Sequence, residues 1–161
     1  TALALGGPFA IRYPRGTAEG VPVPDEPPLF EPGRANVVRE GDDVAILAFG
    51  RMVSRAVGAG ELLAERGVQA RVVDMRWVKP LDVQAIAAAA RTKLVVTVEG
   101  GVLAGGVGEG VLAELARMGS STPALTLGIP DEFVPQGKVD LLLHDLGLDA
   151  QGIAAAVEKR L

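Results

Sequence analysis

Between residues 44 and 129 the chain repeatedly sets a short, unbroken apolar run ahead of a longer stretch in which apolar residues recur at helical spacing. The runs "VAILAFG", "QARVVDMRW", "LVVTVE" and "ALTLGI" have the length and β-branched content of buried strands. After the first, "RMVSRAVGAGELLAERG" puts Met52, Val53, Ala56, Val57, Leu62 and Leu63 on one helical face and stops at Gly67. "LDVQAIAAAARTK" predicts a second helix, with Asp82 as its N-cap and basic residues in its last turn. "GGVLAGGVGEG" predicts a glycine loop and "GVLAELARMG" a third helix. Two more helices are expected over 139–146 and 149–161, the second capped by Asp149. Ahead of all these, "RANVVRE", "GDD" and "VAILAFG" predict an edge strand, a turn and a buried strand, joined as a hairpin.

Strands alternating with helices predict an α/β domain: a mainly parallel open sheet with helices on both faces. Its expected span is 34–161. Residues 17–33 contain Pro22, Pro24, Pro27, Pro28 and Pro32 and are expected to be an extended linker. Before the linker, residues 1–16 hold a helix tail or loop and one short apolar strand, Phe9–Tyr13. That is too little to fold alone, and a strand remnant in front of a linker implies that the chain is the end of something larger.

Composition narrows the chemistry. Apolar residues make up 48% of the 161, enough for a core, while aromatics are only 4%. A net charge of −4 with no basic stripe argues against a nucleic-acid or anionic-membrane partner. No apolar run reaches the 18 or so residues of a membrane-spanning helix. "TALALGGPFA" lacks the basic start of a secretory signal and runs directly into Arg12 and Arg15. The absence of Cys removes disulfides and thiolate chemistry, and a single histidine, His144 beside Asp145, leaves little room for histidine catalysis or metal binding.

Ligands and partners of open α/β sheets meet the carboxyl ends of the strands. The charged residues gather there: Arg51, then Asp74, Arg76 and Lys79, then Glu99, then Asp131 and Glu132. They form either a domain-contact rim or a solvated loop face. "GEGVLA", Gly108–Ala113, fits the dinucleotide pattern G-x-G-x-x-A. It follows the wrong strand, however, and Glu109 would oppose a pyrophosphate; close helix packing explains the same glycines. Arg12 and Arg15 flank Tyr13-Pro14 at the end of an apolar strand. Two guanidinium groups there can grip a phosphate or pair with acids across a domain boundary, and spacing alone leaves both open.

The segments "RYPRG", "DMRWVKPLD", "TVEGGVLAGGVGEGVLAEL", "LGIPDEFVPQG" and "LGLDAQGI", in this order, resemble the carboxyl-terminal part of the 1-deoxy-D-xylulose-5-phosphate synthase family. The likeness covers nearly the whole chain. Transketolases and 2-oxo-acid dehydrogenase β subunits share the "D-x-R…PLD" and "V-E" elements, and either is an alternative; "RYPRG" and "PDEFVPQG" favour the synthase. A third reading, a free-standing interaction module, does not account for "IRYPRG".

The resemblance implies a cytoplasmic homodimeric transferase of isoprenoid precursor, thiamine and pyridoxal biosynthesis. Such an enzyme condenses pyruvate with D-glyceraldehyde 3-phosphate, with loss of CO2, using thiamine diphosphate and Mg2+. Residues 1–16 would end the pyrimidine-binding domain. Arg15 would bind the substrate phosphate, with Arg12 in support, and Asp74, Arg76, Lys79, Glu99 and Asp131 would face neighbouring domains. The family's cofactor-binding and catalytic residues would all precede Thr1, so the chain alone is expected to bind no cofactor or metal and to be inactive. One departure stands out. The family reads an acid and an amide where this chain has Gly100 and Gly101.

Overall fold

The structure, a computed structural model, describes residues 1–14, 16, 20 and 22–161. Its elements are α1 (Ala2–Leu5), β1 (Asn36–Arg39), β2 (Val44–Ala48), α2 (Met52–Glu65), β3 (Ala70–Asp74), α3 (Val83–Ala89), β4 (Leu94–Val102), α4 (Val107–Arg117), β5 (Ala124–Ile129), α5 (Val139–Asp145) and α6 (Ala150–Glu158). The sheet order is β1-β3-β2-β4-β5. All neighbouring pairs are parallel except β1 with β3.

The apolar strands are continuous because both of their faces are covered. Successive side chains of β2 alternate between the faces: Val44, Ile46 and Ala48 join one core and Ala45 and Leu47 the other. The first core packs against Met52, Ala56, Ala59 and Leu63 of α2 and Ile153, Ala154 and Val157 of α6. The second packs against Ile86 and Ala89 of α3 and Val111 and Leu115 of α4. This is the expected mainly parallel sheet with helices on both faces. Asp82 caps α3 by accepting from Ala85 N at 2.9 Å, and Asp149 caps α6 by accepting from Gly152 N at 2.7 Å.

Several expectations are corrected. The β1–β2 hairpin does not form: Asn36 faces Asp74 and Val37 faces Val73, so β1 lies on β3. Each strand has two hydrogen-bonding edges, and β2 gives both to parallel neighbours, β3 and β4. The outer edge of β3 is where β1 can go. Residues 6–14 carry neither helix nor strand, and Phe9, Ile11 and Tyr13 are 42%, 69% and 80% exposed. The expected strand Phe9–Tyr13 is absent because no described segment pairs with it. Helix α3 ends at Ala89, before Arg91 and Lys93, so its last turn carries no basic residue. Strand β4 runs on through Gly100 and Gly101 to Val102, into what the sequence reads as loop.

β2 has β3 on one side and β4 on the other, and the helices that leave it and reach β4 pack on opposite faces. The carboxyl ends of β2 and β4 therefore flank the point where an open sheet offers a crevice.

Candidate functional site

Glu99 is the residue around which this end of the sheet is arranged. It is 4% exposed, and its carboxylate accepts from Val107 N at 3.1 Å and Gly108 N at 2.9 Å, the first N–H groups of α4. A carboxylate at a helix N-terminus meets both the free N–H groups and the positive end of the helix dipole. Room for it comes from missing side chains. A Cβ at Gly106 would stand 2.5 Å from Glu99 Oε1, at Gly101 2.9 Å from Oε2, and at Gly128 3.1 Å from Cγ. The glycine loop is thus the mould of a buried acid. Glu99 belongs to the interior and not to an exposed rim.

This arrangement decides the phosphate question at α4. "GEGVLA" lies inside the helix rather than at the turn before it, and a Cβ on Gly108 would meet Thr97 Oγ1 at 2.7 Å. The N–H groups that would bind a pyrophosphate are bonded to Glu99, whose charge repels one. Among the described residues no group of three His, Cys, Asp or Glu could hold a metal ion. The N-terminus of α4, filled by Glu99, therefore does not fit the diphosphate of thiamine diphosphate.

The predicted rim residues divide by what they touch. Asp74 accepts from Arg76 N at 3.1 Å and pairs with Arg76 Nε at 3.5 Å. Arg76 has a φ of 55°, uncommon for a residue other than glycine, and its guanidinium stands 4.4 Å from the centre of the Phe30 ring. Beside it, the Trp77 ring meets Phe9 edge to face at 5.6 Å. Ala35 N donates to Asp82 Oδ2 at 2.8 Å, and Phe30 N to Thr1 Oγ1 at 3.0 Å. Arg76 is thus engaged by Phe30 of the chain's own leading segment, and Asp74 holds Arg76. Lys79, Asp131 and Glu132 are exposed, and Arg51 is half-buried where β2 passes into α2. His144 is exposed near the end of α5, and its Nδ1 lies 2.7 Å from Asp149 Oδ2.

Arg12 reaches the same edge, donating from Nη2 to Gly100 O at 3.1 Å. Together with Phe49, Val78, Glu99, Gly101 and Val107 it lines a cleft of about 350 Å³. Arg15 lies outside the described residues. Sequence reasoning missed Trp77 and Phe30, the aromatic anchors of the leading segment. With aromatics at 4% of the chain, a Trp inside the charged cluster "DMRWVK" was the available signal.

The family description "Transketolase, C-terminal domain" matches residues 33–153. The chain belongs to the transketolase C-terminal domain family. Three curated relatives are named 1-deoxy-D-xylulose-5-phosphate synthase: those of Geobacter sulfurreducens (synthase 1; 47% identity over 160 residues), Thermomicrobium roseum (48% over 157) and Chromobacterium violaceum (46% over 162). They take in 98%, 96% and 100% of this chain but only 25%, 25% and 26% of their own lengths. This transketolase C-terminal domain chain therefore spans about a quarter of the length of the curated relatives it matches, at their C-terminal region. A solved structure titled "Split gene transketolase, inactive beta4 tetramer" superposes with a TM-score of 0.77 at 39% identity, covering 87% of this chain and 46% of that one.

Proposed function

We propose that this chain is the C-terminal part of a 1-deoxy-D-xylulose-5-phosphate synthase, serving as a docking domain and bringing one substrate-phosphate arginine, Arg15. The observation that carries this reading is identity of 46–48% with three proteins of that name along nearly the whole chain, leading segment included. Arg15 stands in that segment, ahead of the family match, which begins at residue 33.

The reaction joins pyruvate to D-glyceraldehyde 3-phosphate and releases CO2. Thiamine diphosphate, when bound, supplies the carbanion chemistry. The N-terminus of α4 is taken by Glu99, and in this reading cofactor binding falls to other domains of the synthase. This chain's share is recognition and position. Arg15 is suited to two parallel hydrogen bonds to the phosphate, an interaction that stabilises a bound anion by roughly 1.5–3 kcal/mol. Asp74, Arg76 and the Trp77 ring hold the leading segment against the carboxyl edge of the sheet. In this reading the enzyme works as a cytoplasmic homodimer with Mg2+, and the 161-residue chain alone turns nothing over.

A second reading, a transketolase, is favoured by the superposition on the split-gene transketolase chain. The donor substrate separates the two. The enzyme containing this chain, with thiamine diphosphate and Mg2+, is offered D-glyceraldehyde 3-phosphate with either pyruvate or a ketose phosphate as donor. The synthase reading expects CO2 release and 1-deoxy-D-xylulose 5-phosphate from pyruvate. Two-carbon transfer from the ketose phosphate, with pyruvate inert, would replace it with the second reading.

A further inference from the structure

Gly100 and Gly101 are adjacent near the end of β4, and they differ sharply in the space around them. A Cβ on Gly100 would meet nothing nearer than 3.9 Å, the Arg51 stem and Met52 Sδ. A Cβ on Gly101 would stand 2.9 Å from Glu99 Oε2 and 3.7 Å from Arg12 Nη1. It would therefore come between the buried carboxylate and the incoming guanidinium. The register between β4 and β5 shifts between Val98 and Val102, and the last residue of β4 paired with β2 is Val98. The Gly100 carbonyl thus lies past the regular ladder with β2, where Arg12 Nη2 takes it at 3.1 Å.

We propose that the Gly100–Gly101 pair is a docking notch for Arg12, and that Arg12 is a positioning residue which registers the chain leading to Arg15 on the carboxyl edge of the sheet. The carbonyl of Gly100 supplies the acceptor, and the bare backbone at Gly101 supplies the approach. Only two residues, Tyr13 and Pro14, separate Arg12 from Arg15. Proline fixes one of the intervening backbone angles, so anchoring Arg12 restricts where the next residues can go. The edge-to-face contact of Phe9 with Trp77 anchors the same strap three residues earlier. The phosphate role of Arg15 rests on the function proposed above; the notch itself does not.

The test has two readouts. Trp77 is the chain's single tryptophan, so its quenching by acrylamide reports whether the strap lies on it. In the 161-residue chain, Arg12→Ala and Gly101→Asn should each raise the quenching constant about twofold as Phe9 lifts away, while Gly100→Ala leaves it unchanged; rings in contact shield each other from solvent. Arg12→Lys should keep most of the shielding, since one ammonium donor can still reach a carbonyl. In the complete enzyme, Arg12→Ala should raise KM for D-glyceraldehyde 3-phosphate about tenfold with little change in kcat, the signature of a misplaced binding group. Unchanged quenching in Arg12→Ala overturns the notch, whatever the enzyme makes. Raised quenching in an enzyme that uses D-glyceraldehyde 3-phosphate with an unmoved KM overturns the positioning role. Raised quenching in a protein that does not use this substrate upholds the notch and rejects the functional reading instead.

Discussion

A carboxylate that is 4% exposed has to be satisfied from within the protein, and Glu99 is satisfied by two backbone N–H groups of α4. Glu99→Ala leaves the buried Gly108 N–H and the half-buried Val107 N–H without this partner and opens a hole ringed by glycines. The expected loss is about 2 kcal/mol or more, read as a lower urea midpoint at unchanged slope. An equally stable variant would mean that the cap contributes nothing. Gly108→Ala tests the mould from the opposite side. Its Cβ would meet Thr97 Oγ1 at 2.7 Å and Thr126 Cγ2 at 3.2 Å, so overpacking should cost about 1–3 kcal/mol even though alanine is the better helix former. A gain in thermal midpoint would contradict that geometry. Such residues are hard to read from sequence. Glu99 follows an apolar strand, as rim acids do, and only the fold shows that the glycines after it close over it. The spacing of Arg12 and Arg15 left a phosphate grip and an acid partner both open, and the acceptor for Arg12 is a main-chain oxygen, which no side-chain pattern announces.

At the scale of elements, the junction of α5 and α6 is set by one pair. Asp149 caps α6 and also bonds His144 at the end of α5. The hydrogen bond and charge of Asp149 raise the His144 pKa above its ordinary value near 6.5. For Asp149, burial works to raise the pKa, but the bonds from His144 and Gly152 N outweigh it and the net shift is downward. A histidine whose pKa is raised on folding stabilises the fold fully below the unfolded value and loses that contribution as the pH climbs through the folded value. The lowered Asp149 adds stability above the ordinary carboxylate range and loses it as the pH falls through its folded value. His144→Gln should therefore cost more thermal midpoint at pH 5.5 than at pH 8.5. A cost independent of pH would show that the pair does not titrate in the folded chain. With one histidine, its NMR titration is free of overlap, and a midpoint at or below 6.5 would contradict the raised value.

The four parallel strands and their helices were legible because a parallel sheet covered on both faces needs unbroken apolar runs, and these stand out against helical spacing. Pairing was less so. β1 and β2 adjoin in sequence and suggest a hairpin, yet both edges of β2 are taken by crossover-connected strands, a property of the whole sheet that no local window contains. Phe9–Tyr13 reads as a strand because its residues are apolar, but a strand exists only beside another, and here the segment runs as a strap held by Trp77 and Gly100. At the scale of the whole molecule, the central proposal is that this strap carries the arginine that recognises a substrate phosphate. The most direct measurement compares Arg15→Ala with the unaltered enzyme on D-glyceraldehyde 3-phosphate and on D-glyceraldehyde, with pyruvate as donor. If Arg15 binds the phosphate, kcat/KM for the phosphorylated aldehyde falls about 10- to 100-fold and the value for D-glyceraldehyde stays as it was. An equal loss on both aldehydes, or no loss on either, would contradict the account.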